Sequence, residues 1–272
     1  MKVGILPLAR ATFDVALAEE KLQLMLAALD RSPHQILGPR SLLFDANTTT
    51  SAMQELKAEG IDHLLILQVT FTDAALTVTA ATNFQQPMSI WAIKEPRAGE
   101  RLRLNSFCGL NLASHALALR DCEFSWLYDD PIDGIDAQLG ALFAGNRRAG
   151  HLQAKASDNY ASKRGKSIAE NLKSRRIAKI GAHPDGFDTC AYSATELANL
   201  SGVTVDALEL NNLFATASAA SAADTKSVRD IARLSMSDLN DVDQDQLDKS
   251  LRLKAGLDQL RSDGRYDAFA IR

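Results

Sequence analysis

The sequence predicts an α/β protein of two successive Rossmann-like domains, each built on a parallel sheet, the second sheet being incomplete. Two patterns indicate this fold: apolar runs of strand length alternate with helical repeats, and the alternation restarts after a basic stretch. The 272 residues and the 46% hydrophobic share suffice for two packed cores. We place an N-terminal domain at residues 1–150, and a connector helix with a second domain at residues 151–272.

The elements of the first domain follow from its apolar segments. Strands buried in parallel sheets are continuous apolar runs, and such runs are "VGILPLA", "QILGP", "HLLILQV" and "MSIWAI". A helix from Asp14 to Asp30 has Asp14 as its cap. A second helix, capped by Asn47 or a following threonine, ends at Gly60. A helix in "GLNLASHALAL", the strand-like "EFSWLY", the turn "DDPIDG" and a further helix complete the domain.

The second domain begins with a basic connector. Arg147 to Lys179 holds ten lysines and arginines against two acids, with Tyr160 as its single aromatic residue, so we interpret it as a solvated or subunit-facing helix rather than an RNA site. Strands are predicted at "RIAKIG", "VTVDALEL" and "YDAFAI", and helices at "SATELANLSG", Ser227 to Leu234 and around the leucine repeat near residues 253–260. The last strand is expected to be buried.

Composition excludes several classes of protein. The net charge of −4 argues against general nucleic-acid binding. Since there is no apolar run of membrane-spanning length and no secretory signal, we expect a cytoplasmic protein without membrane contact. The glycine-rich motifs of dinucleotide and nucleoside triphosphate sites are also missing from the sequence.

Two local patterns have competing interpretations. The run "DVDQDQLD" spaces aspartates as a calcium loop does, but Gln246 and Arg252 stand where that loop needs glycine and glutamate, so we interpret it as an acidic helix N-terminus. Cys108 and Cys190, one in each domain, could be the acid and base of a cofactor-independent racemase. Buried structural cysteines are the preferred interpretation.

Polar residues follow the predicted strands of the first domain, at the edge where doubly wound sheets bind ligands. Such hydroxyl, amide and charged groups suit a polyhydroxylated small molecule. The residues are Arg10, Thr12, Gln68, Thr70, Thr72 and Glu95. Asn111 and His115 lie four residues apart and therefore share a helix face, where His115 could donate to a substrate or be a half-buried packing residue.

Four longer stretches resemble a known family. "ILPLARATFDVALAEEKL", "LLILQVTFTDA", "LRLNSFCGLNLASHAL" and "IGAHPDGFDTC" are similar to the N-terminal half of the L-fucose isomerase and L-arabinose isomerase superfamily, in its fucose-isomerase-like branch. The resemblance implies two Rossmann-like domains followed by a C-terminal domain, a homo-oligomer, and aldose–ketose isomerisation of a monosaccharide with a divalent metal, usually Mn²⁺.

The resemblance also implies where the metal lies. Moving a proton between C1 and C2 through an enediol needs a cation that polarises the sugar oxygens and a carboxylate that carries the proton. In this family the first metal-ligating glutamate follows shortly after the strand that matches "RYDAFAIR". We therefore expect an incomplete chain, with no catalytic or metal-ligating residue of its own and inactive alone.

Five positions match substrate-contacting stretches of the family. Arg10 matches the first βα loop, Trp91, Asn111 and His115 match stretches contributed across the subunit interface, and Gln68 is the fifth. Arg10, Trp91, Asn111 and His115 would form a polar rim around sugar bound mainly by another subunit. The alternative is a non-catalytic sugar-binding or regulatory module, since two joined α/β domains can clamp a ligand without chemistry. Fucose, arabinose and sulfonated hexoses all stay open as the sugar.

Overall fold

The computed structural model of the chain describes residues 1–97, 101–146 and 159–271. It confirms the predicted fold class, with a five-stranded and a three-stranded parallel sheet. The chain divides into two compact units: Met1–Gln153 with Asp185–Cys190, and Ala154–Pro184 with Ala191–Arg272. The predicted domain boundary at residues 150 and 151 and part of the predicted basic connector lie outside the described residues.

The first unit is built on five parallel strands in the order β2-β1-β3-β4-β5. β1, β3 and β4 are the three central strands, and nearly every side chain in them is buried, as their continuous apolar runs predict. The strands are β1 (Lys2–Leu8), β2 (Gln35–Leu37), β3 (His63–Gln68), β4 (Met88–Ala92) and β5 (Ser125–Tyr128).

Helices cover both faces of this sheet. One face packs against α1 and α5, and the other against α2, α3 and α4, which gives three layers with two apolar cores. The helices are α1 (Val15–Asp30), α2 (Ala46–Glu59), α3 (Ala75–Asn83), α4 (Ser106–Ala118) and α5 (Ile135–Phe143). None of the described helices, here or in the second unit, is long and apolar enough to cross a bilayer.

The starts of α1 and α2 test the predicted caps. The Asp14 carboxylate accepts a hydrogen bond from the backbone N–H of Leu17 at 3.0 Å, which confirms it as the cap of α1. The prediction for α2 is wrong: Asp45, not Asn47, caps the helix and accepts from the N–H of Thr48 at 2.9 Å. Asp45 has the extended backbone that a cap requires, whereas Asn47 already lies in the first turn.

α3 was not predicted from the sequence. Its segment "ALTVTAATN" is rich in β-branched residues, which favour strands when considered alone. Tertiary packing decides the outcome, because Thr77 and Ala80 are buried on one helical face against the sheet. The helix matters for the site, since its N-terminus follows the loop after β3.

The second unit contains three parallel strands in the order β7-β6-β8. α10 packs against α8 and α9, and a Cβ at Gly256 would lie 2.9 Å from the backbone nitrogen of Ala217, so the glycine allows α10 to approach α8 closely. α8 was not predicted. The elements are α6 (Asn159–Leu172), β6 (Arg176–Ile180), α7 (Ala194–Ser201), β7 (Thr204–Leu208), α8 (Leu210–Ala219), α9 (Ala222–Arg233), α10 (Gln244–Gly264) and β8 (Ala268–Ile271).

Two predictions for the second unit have different outcomes. The acidic run is a helix N-terminus as expected: the Asp243 carboxylate accepts from the N–H groups of Asp245 at 2.9 Å and Gln246 at 3.1 Å. The last strand forms, but the expectation that it is buried is wrong, since Ile271 is 47% exposed. The reason is that, within the described residues, β8 pairs with β6 alone and so remains at the edge of the sheet.

Candidate functional site

The strand order of the first unit defines a crevice at the carboxyl edge of its sheet. The chain leaves β1 toward β2 on one side and leaves β3 toward β4 on the other, so β1 and β3 flank the point where the topology switches. The loops after these two strands therefore diverge, and ligands of doubly wound sheets bind in the opening between them. This opening is the candidate site.

Arg10 lies in the loop after β1 and is held by the loop after β3. Its backbone N–H donates to Thr70 Oγ1 at 2.8 Å, and its Nη2 donates to Asp73 Oδ2 at 3.0 Å. The guanidinium carbon also lies 5.7 Å from the centre of the Phe71 ring, within the range of a cation–π interaction. Because 40% of the side chain is exposed, the guanidinium is oriented but still presents donors to solvent.

Gln68, the last residue of β3, is fully buried. Its amide Nε2 donates to the backbone oxygen of Thr70 at 2.7 Å and to Thr72 Oγ1 at 2.9 Å. It therefore organises the loop after β3 and has no exposed surface with which to touch a ligand. The expectation of direct substrate contact does not fit this placement.

Trp91 is a core residue rather than part of a polar rim. It is 0% exposed within the apolar core between the sheet, α1 and α5, and its Nε1 donates to the backbone oxygen of Asp129 at 2.9 Å. Its indole has no free face for a sugar ring because it lies within β4 and points into this core. The expectation of direct contact through Trp91 is therefore corrected.

Asn111 and His115 share the outer face of α4, as their spacing predicts. Both are exposed, while Leu110, Ala113 and Leu117 turn toward the sheet. The structure thus places two of the predicted residues, Arg10 and Gln68, in one hydrogen-bonded cluster. It places Asn111 and His115 together on a helix surface.

Two acidic residues lie at the site: Glu95, which was among the residues predicted at this edge, and Asp73, which was not predicted. Asp73 orients Arg10, and its Oδ1 also accepts from the N–H of Ala75 at the start of α3 at 3.1 Å. Glu95 accepts from the backbone N–H groups of Arg103 at 2.5 Å and Asn105 at 2.7 Å, which shapes the entrance to α4. The available signal for Asp73 was the same as for Glu95: a carboxylate that closely follows a buried strand.

An ion pair joins the loops after β4 and β5 at the residue that accepts the hydrogen bond from Trp91. Lys94 Nζ lies 2.5 Å from Asp129 Oδ1. Their hydrogen bond raises the pKa of the Lys94 ammonium and lowers the pKa of the Asp129 carboxyl, so both groups are charged at neutral pH. The pair keeps the backbone oxygen of Asp129 in place for the indole of Trp91.

The segment Asp185–Cys190 adds to the first unit near Arg10. The Gly186 oxygen accepts from the N–H of Ala74 at 3.1 Å, and the Phe187 ring lies 5.8 Å from the Phe71 ring. Asp188 pairs with Arg120 of the turn after α4 at 2.8 Å. This contact is invisible in local sequence patterns, although "IGAHPDGFDTC" is one of the stretches that carried the family resemblance.

The cysteines do not have the predicted environment. Cys108 on α4 and Cys190 in the short 3₁₀ helix Asp188–Cys190 are both exposed, so the interpretation as buried structural cysteines is wrong. Their elements place them at the surface: Cys108 lies on the outer face of α4, away from the sheet.

Metal ligands do not gather at this site. Within residues 1–97, 101–146 and 159–271, no three His, Cys, Asp or Glu side chains form a group that could hold a metal ion. Asp73 and Glu95 are instead occupied by an arginine and by backbone N–H groups. The donor set of the described residues does not fit a divalent cation, and we derive no chemical step from one.

A second concavity, of about 550 Å³, lies at the opposite, amino edge of the sheet. His63 lines it, is 3% exposed, and has Nε2 2.8 Å from Ser89 Oγ. Burial lowers the pKa of His63 to about 4, so the ring is neutral at physiological pH. The amino edge is not where ligands of this fold bind, and we therefore retain the carboxyl edge as the candidate site.

Comparison with known proteins agrees with the fold. The model of the fucose/sulfoquinovose isomerase N-terminal domain matches residues 4–144, which include most of β1 and the other four strands of the first unit. Sulfoquinovose isomerase of Priestia megaterium is 27% identical over 208 residues, covering 76% of this chain and 42% of that protein. Sulfoquinovose isomerase of Clostridium sp. is 25% identical over 267 residues, covering 97% of this chain and 55% of that protein.

The matches cover more of this chain than of the relatives. The chain spans about half the length of the curated relatives it matches. A further sulfoquinovose isomerase, from Alkalicoccus urumqiensis, is 27% identical over 218 residues, which cover 80% of this chain and 44% of that protein. Because the domain model covers more than half of the residues, the chain belongs to the fucose/sulfoquinovose isomerase family through that family's N-terminal domain.

Proposed function

We propose that this chain is the N-terminal part of a sugar isomerase that interconverts the aldose and ketose forms of a sulfonated hexose, sulfoquinovose. The observation that supports this proposal is the match of residues 4–144 to the family's N-terminal domain, together with relatives that are sulfoquinovose isomerases. L-Fucose and L-arabinose are the competing sugars. The polar, partly exposed groups at the carboxyl edge suit a polyhydroxylated ligand.

In this proposal the described residues bind and orient sugar, and proton transfer belongs to other residues. The Arg10 guanidinium, held by Asp73, can donate to sugar hydroxyl or sulfonate oxygens. Asn111 and His115 contribute an amide and an imidazole from the exposed face of α4, where they would meet sugar bound mainly by a neighbouring subunit. Trp91 and Gln68 act from within the core.

The proposal requires, for turnover, a part of the relatives that this chain does not match. The described residues lack a metal-binding group, and the chain corresponds to 42–55% of the relatives' lengths. We therefore propose that the 272 residues alone do not turn over sugar, and that Mn²⁺ or another divalent ion, the catalytic carboxylate and a homo-oligomeric assembly belong to the complete enzyme. A cytoplasmic location remains a prediction of the sequence.

The test compares the chain alone with the chain joined to the corresponding C-terminal part of the Clostridium sp. relative. Both are incubated with sulfoquinovose, L-fucose or L-arabinose, with Mn²⁺ and with a chelator, and ketose formation is followed by NMR. We expect metal-dependent conversion of sulfoquinovose by the joined protein only. A folded, metal-loaded joined protein that converts none of the three sugars would refute the proposal.

The non-catalytic alternative has its own signature in the same experiment. A sugar-binding or regulatory module would bind one of the sugars as the 272-residue chain, and joining it to the relative's C-terminal part would produce no turnover. Titration calorimetry of the chain alone with each sugar, beside the NMR assay, separates the two functions.

A further inference from the structure

Gln68 is an unusual residue for its position. It is a fully buried amide at the end of a strand whose preceding residues are apolar, and its neighbours across the sheet are Leu8 in β1 and Ala92 in β4. Residues Leu64 and Ile66, which share its strand face, belong to the apolar core beneath α2, α3 and α4. Burying an amide there costs free energy unless hydrogen bonds compensate.

The compensation comes from the loop that holds Arg10. Gln68 Nε2 donates to the Thr70 oxygen at 2.7 Å and to Thr72 Oγ1 at 2.9 Å. The Thr70 hydroxyl oxygen in turn accepts from the N–H of Arg10 at 2.8 Å. The orientation of the amide is set by chemistry, because the flipped amide would bring its carbonyl oxygen against the carbonyl oxygen of Thr70.

Two unfavourable features accompany this arrangement. Gln68 Oε1 is buried and has no hydrogen-bond partner in the described part of the chain. Gly109, inside α4, faces the same amide, since a Cβ there would lie 2.8 Å from Gln68 Nε2 and 2.9 Å from its Cδ. A helix-interior glycine and an orphaned buried carbonyl are both destabilising, and such local costs are typical of sites retained for function.

We infer that Gln68 is a positioning residue: through Thr70 and Thr72 it holds the loop after β3 in the conformation that fixes Arg10 at the mouth of the crevice. It does not contact the ligand, and it differs in this from the direct role that the family resemblance implied. Its importance for sugar recognition rests on the proposed function, whereas its control of the Arg10 loop does not.

The experiment uses the 272-residue chain and amide hydrogen exchange by NMR. In the unmodified chain, both side-chain amide protons of Gln68 should exchange about tenfold or more slowly than those of the exposed Gln23, because both are engaged in hydrogen bonds. In Gln68→Met the backbone N–H of Arg10 should exchange about tenfold faster, while amides of α1 and β1 are unchanged. Gln23→Met is the matched control and should change neither.

A second pair of variants keeps the inference testable if Gln68→Met fails to fold. Thr72→Val removes one acceptor of the Gln68 amide, at a buried position of the loop, and should raise Arg10 exchange by a smaller factor. Thr70→Val removes the acceptor of Arg10 directly, and adding Gln68→Met to it should produce little further change.

The outcomes are distinct for the two proposals. Unprotected Gln68 side-chain protons, or unchanged Arg10 exchange in both Gln68→Met and Thr72→Val, would overturn the positioning role. If the exchange results are as expected but sulfoquinovose neither binds to the chain nor is converted by the joined protein, the proposed function fails and the positioning role stands.

Discussion

The contact between Gly109 and Gln68 supports a prediction whose sign can be reversed by a second substitution. A glycine inside an exposed helix is normally improved by alanine, by about 1 kcal/mol. In Gly109→Ala, however, the new methyl group would lie 2.8 Å from Gln68 Nε2, closer than nonbonded atoms approach. The amide must move, and its hydrogen bonds to Thr70 and Thr72 are then lost.

The magnitude follows from these two effects. Losing two hydrogen bonds costs about 2 kcal/mol, and the helix gains about 1 kcal/mol, so Gly109→Ala should lower the free energy of unfolding by about 1 kcal/mol. In a Gln68→Ala background the clash is absent, and the same change should raise the free energy of unfolding by about 1 kcal/mol. The coupling free energy of the pair is therefore about 2 kcal/mol.

The assay is urea denaturation followed by circular dichroism, for the two single variants and the double variant. Gly140→Ala in α5 is the matched control, because nothing lies within 4 Å of the Cβ it introduces. That control should raise the free energy of unfolding by about 1 kcal/mol. If Gly109→Ala stabilises the unmodified protein as much as Gly140→Ala does, the steric reasoning about Gln68 is wrong.

Three further outcomes are expected. In the joined protein, Arg10→Ala should weaken sulfoquinovose binding about tenfold in calorimetry. The free energy of unfolding should change by less than about 1 kcal/mol. If Arg10→Ala binds the sugar as tightly as the control Arg31→Ala, the proposed role of Arg10 is wrong. Because burial lowers the pKa of His63 to about 4 from 6.5, the unfolded chain takes up a proton first, so stability should be full above pH 6.5 and decline by about 3 kcal/mol as pH falls to about 4. A urea series across this range checks it, and His63→Phe should lose that dependence. Finally, the exposed edge of β8 and the exposed Ile271 side chain should make the 272-residue chain self-associate. Sedimentation velocity should show oligomers, and Ile271→Lys should reduce their amount. A monodisperse monomer of the unmodified chain would refute this.

The candidate site shows how far sequence reasoning reaches. The apolar run and the family resemblance placed Arg10 after β1, and the structure confirms that position; sugar binding by Arg10 stays a prediction. Its partner Asp73 was not identified, because the two residues are 63 positions apart and become neighbours only when β3 pairs with β1. Trp91 and Gln68 were expected to touch a ligand, since residue type alone does not reveal that helices cover both faces of β3 and β4.

The alternation of strands and helices, several helix boundaries such as Asp14 and Gly60, and the family were all predictable from the amino-acid sequence. These features are encoded locally, in apolar runs and in residues whose own chemistry starts or ends a helix. The strand order, the helical state of residues 75–83, the exposure of β8 and the burial of Gln68 against Gly109 became known from the folded structure. Each of these depends on which distant segments pack together, and the free energy of packing outweighs local propensity.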